Sequence, residues 1–323
     1  MLFFLETVIS GALAGIMYSL VALGFVLIFK ASGVFNFSQG VMALFAALTL
    51  VGLLSGTMPF THIDNPAMAL PVWAAIPLTI LVMFIVAVLV EKLILRHLVN
   101  QEHIILFMAM VGLTYVFEGV GDILWGSDVK VIDLGLPQGA WDWLLDTHDL
   151  YIEKIELVAA GTAAVLVTIL AVFFQKTRIG RALRAVADDH QAALSVGISL
   201  RTIWIIVWTV AGIVALVAGV MWGAKSGVQF SLSLIALKAL PVLILGGFTS
   251  IPGAIVGGLI IGIGEKLFEV FGGELVAAAL SGWVEFDPGI LTATENWFAY
   301  VLALVFLLFR PQGLFGEKII ERV

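Results

Sequence analysis

Nine apolar runs dominate this chain, and long apolar runs constrain a fold more than any other sequence feature. They cover residues 4–29, 37–56, 72–90, 104–125, 155–174, 202–223, 234–248, 251–271 and 297–309. Stretches near 18 residues or longer, with few charges, read as transmembrane helices. Only 12% of the 323 residues are charged and 61% are hydrophobic, against roughly 25% charged in an ordinary soluble domain. The runs lack the strict two-residue alternation of a membrane β-barrel. The expectation is an all-α polytopic bundle of about eight to ten spans, forming a single membrane domain over 1–323 with glycine-rich broken segments. The N-terminal run has no Lys or Arg before it, and its first charge is Glu6. It therefore reads as a retained span rather than a cleaved signal peptide.

Charge placement orients the chain. Lys92 and Arg96 fall in the connection 91–103, five basic residues fall in 175–201, and Arg310, Lys318 and Arg322 fall in the tail 310–323. By the positive-inside rule these segments face the cytoplasm. Loops 57–71 and 272–295 carry no Lys or Arg, and 126–154 sets Lys130 and Lys154 against six acids. These three read as the outer, periplasmic face, which places the C-terminus in the cytoplasm.

The segment 175–201 is more than a connection. Ile179, Leu183 and Val186 follow helical spacing, while Arg178, Arg181 and Arg184 lie elsewhere around the helix. Arg184 and Asp188 are four apart and can pair. Asp188 and Asp189 suit the start of a second short helix, and Gly197 suits its stop. Two readings stay open on physical grounds: an amphipathic helix resting on membrane lipid, or a docking element for a cytoplasmic partner.

The spans contain few polar groups. Lys238 is the clearest ionisable one, and snorkelling to the outer interface is the simpler expectation for it. Glu118 with Asp122, and Glu265, Lys266 and Glu269, read as residues at outer helix ends. "GVFNFSQG" at 33–40 interrupts the first apolar pair with Asn36, Ser38 and Gln39 between glycines. It is either a helix break beside a polar path or a set of caps for the next helix. "GGFTSIPGAIVGGLIIGIG" places Gly253, Gly257, Gly258 and Gly262 at spacings that allow close helix approach in lipid. The two interrupted segments raise the possibility of an internal repeat. No HExxH, GxSxG or phosphate-binding loop is present, the five histidines are scattered and there is no cysteine. No catalytic residue, metal ligand or nucleic-acid partner is expected.

Four segments together resemble the permeases of branched-chain amino acid ATP-binding cassette (ABC) importers, in particular the H-type subunit. They are "SGVFNFSQGVMALFAALT", "TRIGRALRAVADDHQAALSVGIS", "LKALPVLILGGFTSIPGAIVGGLIIGIGE" and "FRPQGLFGE". Where many members carry His-Gly-Glu, this chain has Gln39, Gly40 and Val41, and Ser38 replaces an alanine. Loop 57–71 is also long. The resemblance implies a non-enzymatic translocation subunit of the bacterial inner membrane. Its implied partners are a homologous second permease, two cytoplasmic ATPases that hold the ATP and magnesium, and a periplasmic substrate-binding protein. It implies that Gly180, Arg181, Arg184, Asp188, Asp189, Ala193 and Gly197 belong to an ATPase-coupling helix. Candidates for the substrate path are Asn36, Phe37, Ser38, Gln39, Gly40, Lys238, Gly246 and Gly247. A urea or short-amide permease of the same family is the alternative. A stand-alone channel or secondary transporter would instead need paired buried charges.

Overall fold

The computed structural model describes residues 2–98, 101–188, 190–280 and 295–316. Asp189, Lys318, Arg322 and most of loop 272–295 lie outside the described residues. Thirteen α-helices occur among the described residues: α1 (Leu2–Ser32), α2 (Gln39–Ser55), α3 (Val72–Leu93), α4 (His103–Trp125), α5 (Asp142–His148), α6 (Lys154–Lys176), α7 (Arg178–Asp188), α8 (His190–Ser195), α9 (Leu200–Ser226), α10 (Ile235–Gly246), α11 (Ile251–Leu267), α12 (Gly273–Leu280) and α13 (Glu295–Phe309). Each of the nine apolar runs occupies one of these helices.

Helices α1, α3, α4, α6 and α9 are long and apolar enough to cross a membrane alone. Two shorter apolar helices are α2 and the one at 297–309. The segments 230–246 and 251–276 form a pair bent by 112° that can act as one broken span or as a re-entrant loop. The sequence divided this region into separate spans, since a hydropathy window does not register a bend.

The chain divides into two compact units: 1–22 with 137–161 and 237–323, and 23–136 with 162–236. Three of the four dividing points fall inside α1, α6 and α10, and the fourth lies between α4 and α5.

In the second unit α2 and α9 form the centre. Residues 39–52 of α2 are all buried, and α9 buries Trp204, Trp208, Ala211, Ala215 and Gly219 along one side. Gly219 lets α9 meet the backbone of α2, where an added Cβ would lie 2.3 Å from the Ala43 carbonyl. Helices α3 and α4 pack around this centre. They leave Phe84, Leu89, Tyr115, Val116 and Ile123 exposed, as a lipid-facing surface requires.

In the first unit the early turns of α1 lie against α11 along a seam of glycines. A Cβ on Gly15 would sit 2.2 Å from the Gly258 carbonyl, and one on Gly262 would sit 2.3 Å from the Gly11 carbonyl. The Ser19 hydroxyl donates across the seam to the Ala254 carbonyl at 3.0 Å. Lipid tails are as apolar as leucine, so burial alone gives helices little reason to associate there. Close backbone packing and short polar bridges supply the attraction instead. Helix α11 starts at a Ser250 cap, whose hydroxyl accepts from Gly253 N–H, with Pro252 in the first turn. A π turn at Phe268–Gly272 then leads into α12.

Residues 139–154 are tied back on themselves. Trp141 N–H donates to the Ile152 carbonyl and Lys154 N–H to the Gly139 carbonyl. The Lys154 ammonium donates to Asp142 at 2.9 Å. That hydrogen bond, and then the lysine charge, holds the Asp142 carboxyl below its ordinary range.

Candidate functional site

The break at 33–38 is closed by its own side chains. Helix α1 ends where Gly33 takes a left-handed φ of +66° and donates its N–H to the Phe29 carbonyl. Asn36, Ser38 and Gln39 are all at most 1% exposed. The Asn36 carbonyl oxygen accepts from Ser38 Oγ at 2.6 Å and from Ser38 N at 3.2 Å. The Asn36 amide donates to Gln39 Oε1 at 3.2 Å, and the Gln39 amide donates onward to the Ala211 carbonyl of α9 at 3.4 Å. Gly24 makes room for Gln39: a Cβ there would fall 1.8 Å from Gln39 Nε2. Gly40 permits a second close approach, to the Ser233 carbonyl and the Ala236 side chain just before and within α10. Phe37 stacks edge-on with Phe107 of α4, and Phe25 lies flat on Phe35. A cavity of about 400 Å³ lies beside the break, lined by Phe29, Gly33, Phe35 and Phe107. Ser38 precedes α2 but gives it no side-chain cap, because Ser38 Oγ is engaged with Asn36.

Lys238 departs from the snorkelling expectation. Its ammonium lies 3.3 Å from Glu265 Oε1 and 3.4 Å from the Tyr18 hydroxyl, and 5.6 Å from the centre of the Tyr18 ring. The Tyr18 hydroxyl donates to the same Glu265 oxygen at 3.2 Å. Glu265 is 2% exposed, so it does not belong to an outer rim, whereas Lys266 pairs with Glu269 at 2.6 Å. Lys238 and Glu265 stand on the two arms of the bent pair. The pairing escaped sequence reading because no periodicity links positions 27 residues apart across a bend.

Gly246 and Gly247 form the vertex of that bend. An added Cβ on Gly246 would come 2.1 Å from the Gly253 carbonyl, and Gly247 has a φ of +100°. The last carbonyls of α10 take donors from the C-terminal tail. Leu314 N–H donates to Leu245 O at 2.8 Å, and Phe315 N–H donates to Gly246 O at 3.2 Å.

Helices α7 and α8 make the two short helices expected within 175–201. Leu183, Val186 and Ala193 are buried. Gly180 is required by space, since a Cβ would lie 2.4 Å from the carbonyls of both Phe173 and Phe174. Arg181 is exposed and its N–H donates to the Thr177 carbonyl. Arg184 donates from Nη1 to the Phe174 carbonyl at 2.8 Å, which satisfies an orphan acceptor near the end of α6. Asp188 ends α7; the caps expected from Asp188 and Asp189 fall on side chains outside the described residues. Gly197 ends the loop helix with φ +85°, its N–H donating to Leu194 O.

Glu118 and Asp122 share one face of α4, as their spacing predicts. They line a groove of about 220 Å³ with Leu44, Leu48 and Phe230. Among the described residues, no three His, Asp or Glu side chains gather as a metal site.

The described residues form a helical bundle with several membrane-length helices and buried polar networks, the architecture of a polytopic membrane protein. The chain belongs to the family described as the branched-chain amino acid transport system permease component, whose model matches residues 7–310. It is similar to the high-affinity branched-chain amino acid transport system permease protein BraD of Pseudomonas aeruginosa, at 26% identity over 99% of this chain and 98% of that one. It is similar to LivH of Escherichia coli K12, a permease protein of the same description, at 25% identity over 100% and 98%. The probable LivH of Methanocaldococcus jannaschii is 28% identical over 92% and 88%. No solved structure matches the chain.

Proposed function

We propose that this chain moves branched-chain amino acids through the inner membrane as one permease of an ABC importer, with its C-terminus in the cytoplasm. The family match across 7–310 carries this reading, and full-length similarity to permeases named for that substrate class supports it. Hydrolysis of ATP takes place on two partner ATPases. A second permease completes the path, and a periplasmic binding protein delivers the substrate.

The segment 178–197 is the docking element for an ATPase. Its buried face, Leu183, Val186 and Ala193, holds it to the permease, while Arg181 stays exposed. Asn36, Phe37, Ser38, Gln39 and Gly40 shape the path at the first break, and Lys238, Gly246 and Gly247 do so at the second. In the arrangement described, the amides at 36–39 face each other. Their part is therefore to hold the break rigid beside the path, and substrate contact at this point needs the break to open.

The test is uptake of labelled leucine by host cells with the gene deleted and then restored. Deletion is expected to abolish high-affinity leucine uptake and leave urea uptake unchanged; unchanged leucine uptake would sink the substrate reading. Gly197→Pro removes a backbone N–H that donates to Leu194 and forbids φ +85°. It is expected to abolish uptake with normal amounts of protein in the membrane, and normal uptake would sink the docking assignment.

A further inference from the structure

Glu91 lies in the last turn of α3 and is 2% exposed. Its Oε2 lies 3.4 Å from Arg201 Nε, in the first turn of α9. The contact is an ion pair whose alignment falls short of a hydrogen bond, since Glu91 Oε2 has no hydrogen-bond partner among the described residues.

Each member of this pair is misplaced when considered alone. A helix C-terminus carries partial negative charge and disfavours a carboxylate. A helix N-terminus carries partial positive charge and disfavours a guanidinium. Burial further penalises the Glu91 charge. Two residues set against their own helix dipoles are tolerable only together, and separating them leaves a buried carboxylate with no counter-charge.

Their place in the chain gives this arrangement its meaning. Arg201 is the last residue of the segment 175–201. At the other end of that segment, Arg184 grips the Phe174 carbonyl of α6. Further along, α3 and α9 pack against each other, with Gly212 so close to Met83 that a Cβ would lie 3.2 Å from the Met83 Cβ.

We propose that Glu91 is the positioning residue that makes α3 and α9 one rigid lever, so that motion of the docking segment reaches α3 through the Glu91–Arg201 pair. This rests on the reading of 178–197 as the ATPase-docking element. Glu91 touches neither substrate nor ATPase; it acts through Arg201. The pair stays closed through the transport cycle, because opening it would strand the buried charge.

Two measurements on the intact importer test this. The first is leucine transported per ATP hydrolysed in proteoliposomes. Glu91→Gln and Arg201→Gln are expected to lower that ratio by about tenfold, since each removes one partner of a pair in which Glu91 is buried and Arg201 is exposed, with hydrolysis itself retained. The exchange Glu91→Arg with Arg201→Glu puts each charge in accord with its helix dipole, so it favours folding, and it is expected to restore the ratio. An unchanged ratio in the single variants, or no recovery in a well-folded exchange, overturns the proposal.

The second measurement is a spin-label distance between Leu93→Cys and Thr202→Cys. Both positions are exposed, and the chain itself has no other cysteine. The distance is expected to be the same in nucleotide-free and ATP–vanadate-trapped complex, and to spread in Glu91→Gln. A wild-type distance that changes between the two states overturns the lever. Vanadate trapping needs no transported substrate, so this result stands whatever the cargo. Unchanged leucine uptake in the deletion experiment would bear on the proposed function alone.

Discussion

The breaks at 33–38 and 247–250 solve one problem in opposite ways. Interrupting a helix within an apolar bundle frees backbone N–H and carbonyl groups that lipid cannot satisfy. At the first break, side chains fill the gap: Asn36 binds Ser38 and Gln39, and Gln39 reaches Ala211. At the second, another stretch of backbone fills it, as Leu314 and Phe315 donate to Leu245 and Gly246. Side-chain closure needs particular amides in particular rotamers. Backbone closure needs space, which glycine supplies. The first break should therefore respond to polarity and the second to bulk.

That difference can be broken experimentally. The largest effect is expected at the vertex. Gly247→Val forces a β-branched residue into φ +100° and drives its Cβ to 2.8 Å from Gly316 N. Strain and overpacking together predict a loss of about 3 kcal/mol or more, read as loss of folded protein in detergent. Asn36→Leu comes next. It is nearly isosteric but strips partners from Ser38 and Gln39, for about 2 kcal/mol, measured by reversible unfolding in mixed micelles. Leu314→Pro is expected to cost least. It removes one donor, to Leu245, for about 1 kcal/mol in the same assay. An Asn36→Leu loss below that of Leu314→Pro would show that the amides are not what closes the first break.

Much of the fold was legible because each apolar run is a local signal. The Gly258 and Gly262 spacing announced close helix packing, and Gly197 announced a helix stop. The partners were not legible. Nothing in the sequence says that Gly258 and Gly262 meet Gly15 and Gly11, or that Lys238 meets Glu265, because these contacts join distant positions through the fold. Glu91 passed unnoticed beside Lys92 and Arg96, whose positive charges define the cytoplasmic connection. Its signal was present: a carboxylate at a helix C-terminus is out of place, and a misplaced charge asks for a partner. The amide network was half legible. Asn36, Ser38 and Gln39 stood out as polar, but their mutual bonding depends on Gly24 leaving space, and that glycine is far from them in sequence.

The tail on the vertex also sets an order of events during synthesis. The carbonyls of Leu245 and Gly246 are made roughly seventy residues before the amides that meet them, several seconds at about 5–20 residues per second. The bend therefore waits, unfinished, for backbone made well after it. A chain cut short just after α13 would keep every apolar helix among the described residues and lack the two donors that meet Leu245 and Gly246 at the bend.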